Sequence, residues 1–308
     1  MQTLRFTSPR GRRTARPRLA ARMVAAAAVM ASAIALAVSP AAAASASADS
    51  PRKYPHPERN YMGSTIPEHE RQERGRELSR QQARKAAPAA SVDGIDVSHW
   101  QGNIDWNAVA ADGIEFAYMK AIEGTYYTDP SFDSNYPESY YAGLVRGAYH
   151  FANPADSSGA AQARFFVNNG GGWSPDGQTL PGVLDIEYNP YGPTCYGLTD
   201  GQMINWVGDF ISTYEAMTGR YPVIYTTTNW WSTCTGNYAG FWDVSPLWVA
   251  NWGSDPYPLP NGAPYWTFWQ YTAEGSVNGV AGNVDRDLFN GSYDRLQAIA
   301  TCSHSNPC

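Results

Sequence analysis

Eight short apolar runs punctuate the chain between about residue 92 and residue 289. They are GIDVSH (94–99), FAYMKAI (116–122), VRGAYHF (145–151), GVLDIEY (182–188), VIYTT (223–227), LWVANW (247–252), FWQYT (268–272) and VDRDLF (284–289). Their length and their β-branched and aromatic content predict strands. Helical periods lie between the early runs. The clearest is TDGQMINWVGDFISTYEAMTG, where Thr199 and Gln202 form a capping box, Met203, Val207, Phe210 and Tyr214 share a face, and Gly219 supplies the stop. Two more helices are expected over 131–142 and 157–169. The connections from 226 to 267 look too irregular for regular helices. Eight strands with helices between the early ones predict an α/β fold, a modified (β/α) TIM-like barrel with helices missing or irregular in its second half. No internal repeat is visible.

The first 88 residues follow neither pattern. Basic residues in RGRRTARPRLAAR precede the apolar run Met23 to Val38, and small residues follow in SPAAAASASA. This is the build of a secretion signal over about residues 1–48. The run is short for a membrane span, so no stable membrane association is expected after cleavage and the localisation expected is extracellular. Arg12-Arg13 lacks supporting context for the twin-arginine route, which favours the ordinary one. From Asp49 to about Pro88 the chain is polar and charge-dense, with too few apolar residues for a core of its own. It is expected to be a disordered spacer or removable pro-segment, dispensable for activity, with one catalytic barrel over 89–308.

Charge sharpens that division. Residues 1–88 carry 16 Lys or Arg against 6 Asp or Glu, a net +10; residues 89–308 carry 6 against 22, a net −16. So acidic a domain lacks the basic surface that nucleic-acid phosphates require. Export permits disulfides among the four cysteines, with Cys195–Cys234 and Cys302–Cys308 the expected pairs. With no Cys-x-x-Cys and few His beyond the N-terminal region, no metal site and no cofactor are expected. A monomer is the expected state.

The acids fall where barrel chemistry is done, at the C-terminal strand ends. In GVLDIEYNP, Asp185 and Glu187 share one face of a strand and Leu184 and Ile186 the other. Asp96 lies on the first strand and Asp285 on the last, which are neighbours in a closed barrel. Tyr149, Tyr188, Tyr225, Asn251, Trp252 and Gln270 occupy matching strand ends as substrate-binding candidates, and the chain holds 11 Trp and 20 Tyr. Aromatic rings around carboxyl groups suit a glycosidase, whose transition state needs a proton donor and an anionic partner.

The segments GIDVSHWQGNIDW, RGAYHFANP, GVLDIEYNP, FWQYT and GNVDRDLFN, in this order over about 92–300, resemble the motifs of the family-25 glycoside hydrolases, the Chalaropsis-type muramidases. The resemblance implies a modified barrel that cleaves the β-1,4 bond after N-acetylmuramic acid in bacterial peptidoglycan. It implies that Glu187 is the general acid and that Asp185, Asp96 and Asp285 occupy the family's other acidic positions. Near neighbours on one strand start about 6.5–7 Å apart at Cα and cannot easily flank a sugar from both sides. That geometry favours attack by the substrate's own acetamido group, oriented by Asp185, with retention, over direct attack by Asp185. Asp96 and Asp285 are expected to hold substrate polar groups and to tune Glu187.

Two rivals are weaker. The chitinase signature Asp-x-x-Asp-x-Asp-x-Glu survives in LPGVLDIE only as its final Asp-x-Glu. A wall-binding module without catalysis would have no need of a buried proton donor. Ser98 and His99, adjacent on one strand, point to opposite faces and make a poor local triad, so His99 is expected to be structural.

Overall fold

The computed structural model describes residues 53–70, 80–253 and 255–302, all within one compact unit. The expected signal over 1–48 lies outside the described residues, as does Cys308. Nine strands form one sheet: β1 (Val92–Val97), β2 (Phe116–Glu123), β3 (Tyr127–Thr128), β4 (Val145–Phe151), β5 (Val183–Asp185), β6 (Val223–Thr226), β7 (Leu247–Ala250), β8 (Phe268–Gly275) and β9 (Val284–Phe289). The order β1-β9-β8-β7-β6-β5-β4-β2 closes through a β1–β2 pairing, giving an eight-stranded barrel, and β3 is a short hairpin partner of β2. Seven barrel strands run parallel, and β9 runs antiparallel to both β1 and β8.

Helices α1 (Ile66–His69) and α2 (Arg80–Ala86) precede the barrel. Around it come α3 (Trp106–Ala111), α4 (Phe132–Tyr141), α5 (Gly159–Phe166), α6 (Asp200–Thr218), α7 (Thr228–Thr235) and α8 (Tyr293–Thr301). The predicted capping box starts α6: the Thr199 amide donates to Gln202 Oε1 at 2.9 Å, and Gly219 closes the helix at φ 71°. Met203, Val207, Phe210 and Tyr214 are fully buried along it. After β6 the helical layer thins. Among the described residues only the eight-residue α7 stands between β6 and β7, the connection from β7 to β8 has no helix, and β8 turns directly into β9. A compact α7 inside 226–267 departs from the expectation of irregular chain there; Thr227 caps it by accepting from the Trp230 amide at 3.0 Å.

Strand alternation divides the core in two. Ile95, Ala117, Leu184, Ile224, Val249 and Trp269 pack outward beneath the helices. Phe116, Tyr118, Tyr149, Val183, Tyr225, Trp248 and Phe268 fill the barrel interior. The interior is crowded enough that a Cβ at Gly94 would stand 2.2 Å from the Phe116 ring.

A second expectation fails. Residues 53–70 are not a disordered spacer; they pack over the barrel mouth, with Met62 and Ile66 wholly buried in the interior cluster. α2 also joins the domain, burying Ala83 and pairing Arg84 with Asp93 of β1. The segment has too few apolar residues for its own core, but it uses the barrel's.

Candidate active site

Asp185 ends β5 and Glu187 follows two residues later. Leu184 and Ile186 belong to the outer core and Val183 to the inner, so alternation turns both acids into the barrel mouth. Asp96 sits near the end of β1, and its register partner on β9 is Asp285. Because β9 is antiparallel, Asp285 stands at the beginning of its strand yet reaches the same mouth. All four carboxyls are buried.

Gln270 of β8 knits the floor. Its amide nitrogen donates to Asp96 Oδ2 at 2.7 Å, and its Oε1 accepts from the Tyr225 hydroxyl at 2.7 Å and Trp252 Nε1 at 3.0 Å. Tyr149 is fully buried, and its hydroxyl accepts from the Met62 amide at 3.3 Å. Tyr188 stands at the rim: its hydroxyl donates to Glu70 Oε1 at 2.7 Å and accepts from Asn229 Nδ2 at 2.6 Å, while its ring stacks on His69 at 4.3 Å. Asn251 spends its amide on the Tyr257 carbonyl at 2.9 Å, a loop contact rather than one to the acids. His99 Nδ1 bonds Asp129 Oδ2 at 2.9 Å, and Ser98 caps the following 3-10 turn, so both serve the loop.

Crowding and burial set the proton affinities. Burial pushes Asp96 up to about 8; the Gln270 hydrogen bond pulls against this and the Glu187 charge adds to it. Burial raises Glu187 to about 7, held back by donors from Thr65 and Gly63. Asp185 goes well above the usual carboxylate range, through burial first and then the charges of Glu187 and Asp96. No donor from outside the pair reaches its oxygens, and its side-chain hydrogen-bond partner is Glu187. Asp285 is raised by burial and next by the Asp96 charge. A cluster like this retains protons near neutral pH, which is the property a general acid requires.

Three features escaped the sequence reading. Asp287 is buried on the same face of β9 as Asp285, raised by burial and by the charges of Asp96 and Asp285. The spacing in VDRDLF could have revealed it, since Asp285 and Asp287 are two apart like Asp185 and Glu187. Lys120 and Glu123 form a buried ion pair at 3.0 Å. Alternation would place them on opposite faces, but a register shift between Lys120 and Ile122 turns Ala121 and Ile122 both outward and brings Glu123 beside Lys120. The third is the cover over the mouth. The amides of Gly63 and Thr65 donate to Glu187 Oε1 and Oε2 at 2.7 and 3.1 Å, and the Thr65 hydroxyl joins them at Oε2.

The expected disulfide is present: Cys195, in the connection that follows β5, is bonded to Cys234 on α7. Cys302 is also disulfide-bonded. The expected partner, Cys308, lies outside the described residues.

A closed barrel whose mouth gathers buried, proton-retaining carboxyls among aromatic rings defines a glycoside hydrolase of the carboxyl-pair type. The sequence model for glycosyl hydrolases family 25 matches residues 95–280. The chain belongs to that family. It is 58% identical over 214 residues to lysozyme M1 of Streptomyces globisporus, spanning 70% of this chain and 73% of that protein. It is 43% identical over 215 residues to the N,O-diacetylmuramidase of a Chalaropsis species, spanning 68% of this chain and all of that one. The crystal structure of a bacterial lysozyme from Streptomyces coelicolor superposes with a TM-score of 0.68 at 58% identity, covering 68% of this chain and 97% of the other.

Proposed function

We propose that the chain is a lysozyme that hydrolyses the β-1,4 bond between N-acetylmuramic acid and N-acetylglucosamine in bacterial peptidoglycan, with Glu187 as proton donor. The observation that carries this is the pair Asp185 and Glu187, buried side by side on the inner face of a family-25 barrel. The lysozyme and muramidase names of the relatives support the substrate.

The two acids tolerate each other because only one is charged. In the covered site the Gly63 and Thr65 donors favour the Glu187 carboxylate and leave the pair's proton on Asp185. The reaction begins once those donors are gone and the proton has passed to Glu187, leaving Asp185 ionised. Glu187 gives its proton to the glycosidic oxygen as the bond to the sugar C1 breaks. The substrate's acetamido oxygen attacks C1, and the Asp185 carboxylate steadies the acetamido N–H and the positive charge that develops. Water then attacks C1 with Glu187 as base, which returns the proton and yields retention. Asp96, fixed by Gln270, and Asp285 hold substrate polar groups and tune Glu187 from across the mouth. Tyr149, Tyr188, Tyr225 and Trp252 supply ring faces and hydroxyls; Asn251 acts through its loop.

The N-terminal 48 residues act as an export signal, a role compatible with the Cys195–Cys234 bridge, and the mature chain works outside the cell as a monomer. Among the described residues no helix is long and apolar enough to cross a membrane. Glu187→Gln keeps the size and removes the acid. Wall lysis by this variant should fall by about 10²–10⁴-fold, the usual worth of a general acid. A folded Glu187→Gln protein that lyses walls at the wild-type rate would sink the assignment.

A further inference from the structure

The cover over the mouth is built, not draped. Two backbone donors and a hydroxyl from Gly63 and Thr65 converge on both oxygens of Glu187. Donors on both oxygens hold a carboxyl as its carboxylate, the wrong state for giving a proton. Gly63 adopts φ 83°, and a Cβ there would lie 3.0 Å from Gln270 Oε1, Trp252 Cζ2 and the Tyr225 hydroxyl at once, so the backbone is pressed against the floor of the site. Met62 fills the barrel interior beside Tyr149 and Tyr225, and its amide is bound to the Tyr149 hydroxyl.

Both ends of the segment are anchored across the mouth. On one side Asn60 donates to Glu123 Oε1 at 2.9 Å, and Lys120 donates to the carbonyls of Pro57 and Asn60. On the other, Glu70 accepts from the hydroxyls of Tyr188 and Thr227, and His69 stacks on Tyr188. Tyr61 meets the exposed ring of Trp100 edge-on at 6.0 Å.

We propose that residues 53–70 are an intramolecular inhibitor, which occupies the saccharide cleft and keeps the precursor latent until the segment is displaced. This rests on reading the mouth as the muramidase site. The segment takes the proton donor's hydrogen bonds and the space between Tyr149, Tyr225 and Trp252, so substrate and segment exclude each other.

The test compares the chain from Asp49 onward with two variants of it, Gly63→Leu and Met62→Asp, and with a chain starting at Arg80. That shorter chain keeps α2, and the comparable Streptomyces coelicolor structure is little more than the barrel. The chain from Asp49 should lyse walls about tenfold or more slowly than the chain from Arg80, as expected when under a tenth of molecules are open. Both variants should recover most of that loss. A synthetic 53–70 peptide added to the shorter chain should raise KM and leave kcat unchanged. Equal, measurable lysis by the Asp49 and Arg80 chains overturns the proposal. Peptide binding to the shorter chain, followed by tryptophan fluorescence, reads the contact without activity. Binding abolished by Gly63→Leu in the peptide supports the proposal even if neither chain lyses walls, a result that would instead defeat the lysozyme reading. No binding overturns the proposal whatever the lysis result.

Discussion

Replacing Cys195 and Cys234 together with Ala should lower stability by an amount the chain geometry sets. The bridge closes a loop of 39 residues. In the chain-entropy model such a loop restricts the unfolded state by about 13 cal/mol/K, or about 4 kcal/mol at 25 °C. Cys234 is fully buried on α7, so loss of its sulfur adds roughly 1 kcal/mol of packing. For a domain of this size each kcal/mol moves Tm by about 2–4 °C, which places the expected drop at about 10–20 °C. The loop matters to function because its first anchor, Cys195, lies in the same connection after β5 that carries Glu187, and because it includes the buried Tyr196, whose hydroxyl bonds the Ala152 carbonyl at 3.2 Å. Calorimetry of the double variant reads the shift, and wall lysis at rising temperature reads its consequence. Lysis at 25 °C should persist while activity at higher temperature disappears first. A Tm within about 3 °C of wild type would refute the reasoning, since the bridge would then restrict little of the unfolded chain.

Asp185→Asn, which keeps shape and removes the charge, should cut kcat by about 10²–10³-fold in the chain from Arg80, the usual cost of losing a preorganised charge partner; a folded variant of near wild-type kcat would remove Asp185 from the reaction. Stability should fall as pH rises from 6.5 to 8, because Asp96, lifted by burial to about 8 from 3.8, keeps in the folded state a proton that the unfolded chain has already released. Each such proton contributes a slope of about 1.4 kcal/mol per pH unit, and Asp185, Asp285 and Asp287, also raised, act in the same direction. His150, lowered by burial to about 3, opposes this only below about pH 6.5, where the unfolded chain gains its proton. Urea unfolding at pH 6.5 and 8 checks the slope, which Asp96→Asn should flatten; unchanged or increasing stability over that window contradicts it.

What the sequence made legible follows from periodicity. The α6 face and cap, the eight barrel strands and the shared face of Asp185 and Glu187 all rest on local rules that tertiary packing did not override. The antiparallel course of β9 was hidden because a short apolar strand reads the same in either direction. Glu123 was hidden by a bulge, which shifts the two-residue period by one. Residues 53–70 failed for a different reason. A core estimate counts the apolar residues a segment can bury against itself, while Met62 and Ile66 bury against Tyr149, Tyr225 and Trp248 of the barrel. That contact is far apart in sequence and leaves no periodic trace.

The activity proposed for this barrel is a muramidase cut directed by Glu187. The most direct measurement is mass analysis of fragments released from purified peptidoglycan by the chain from Arg80, with its Glu187→Gln variant in parallel. Fragments ending in reducing N-acetylmuramic acid are expected from the unmodified barrel and almost none from the variant. Fragments ending in reducing N-acetylglucosamine, or equal release by the variant, would contradict it.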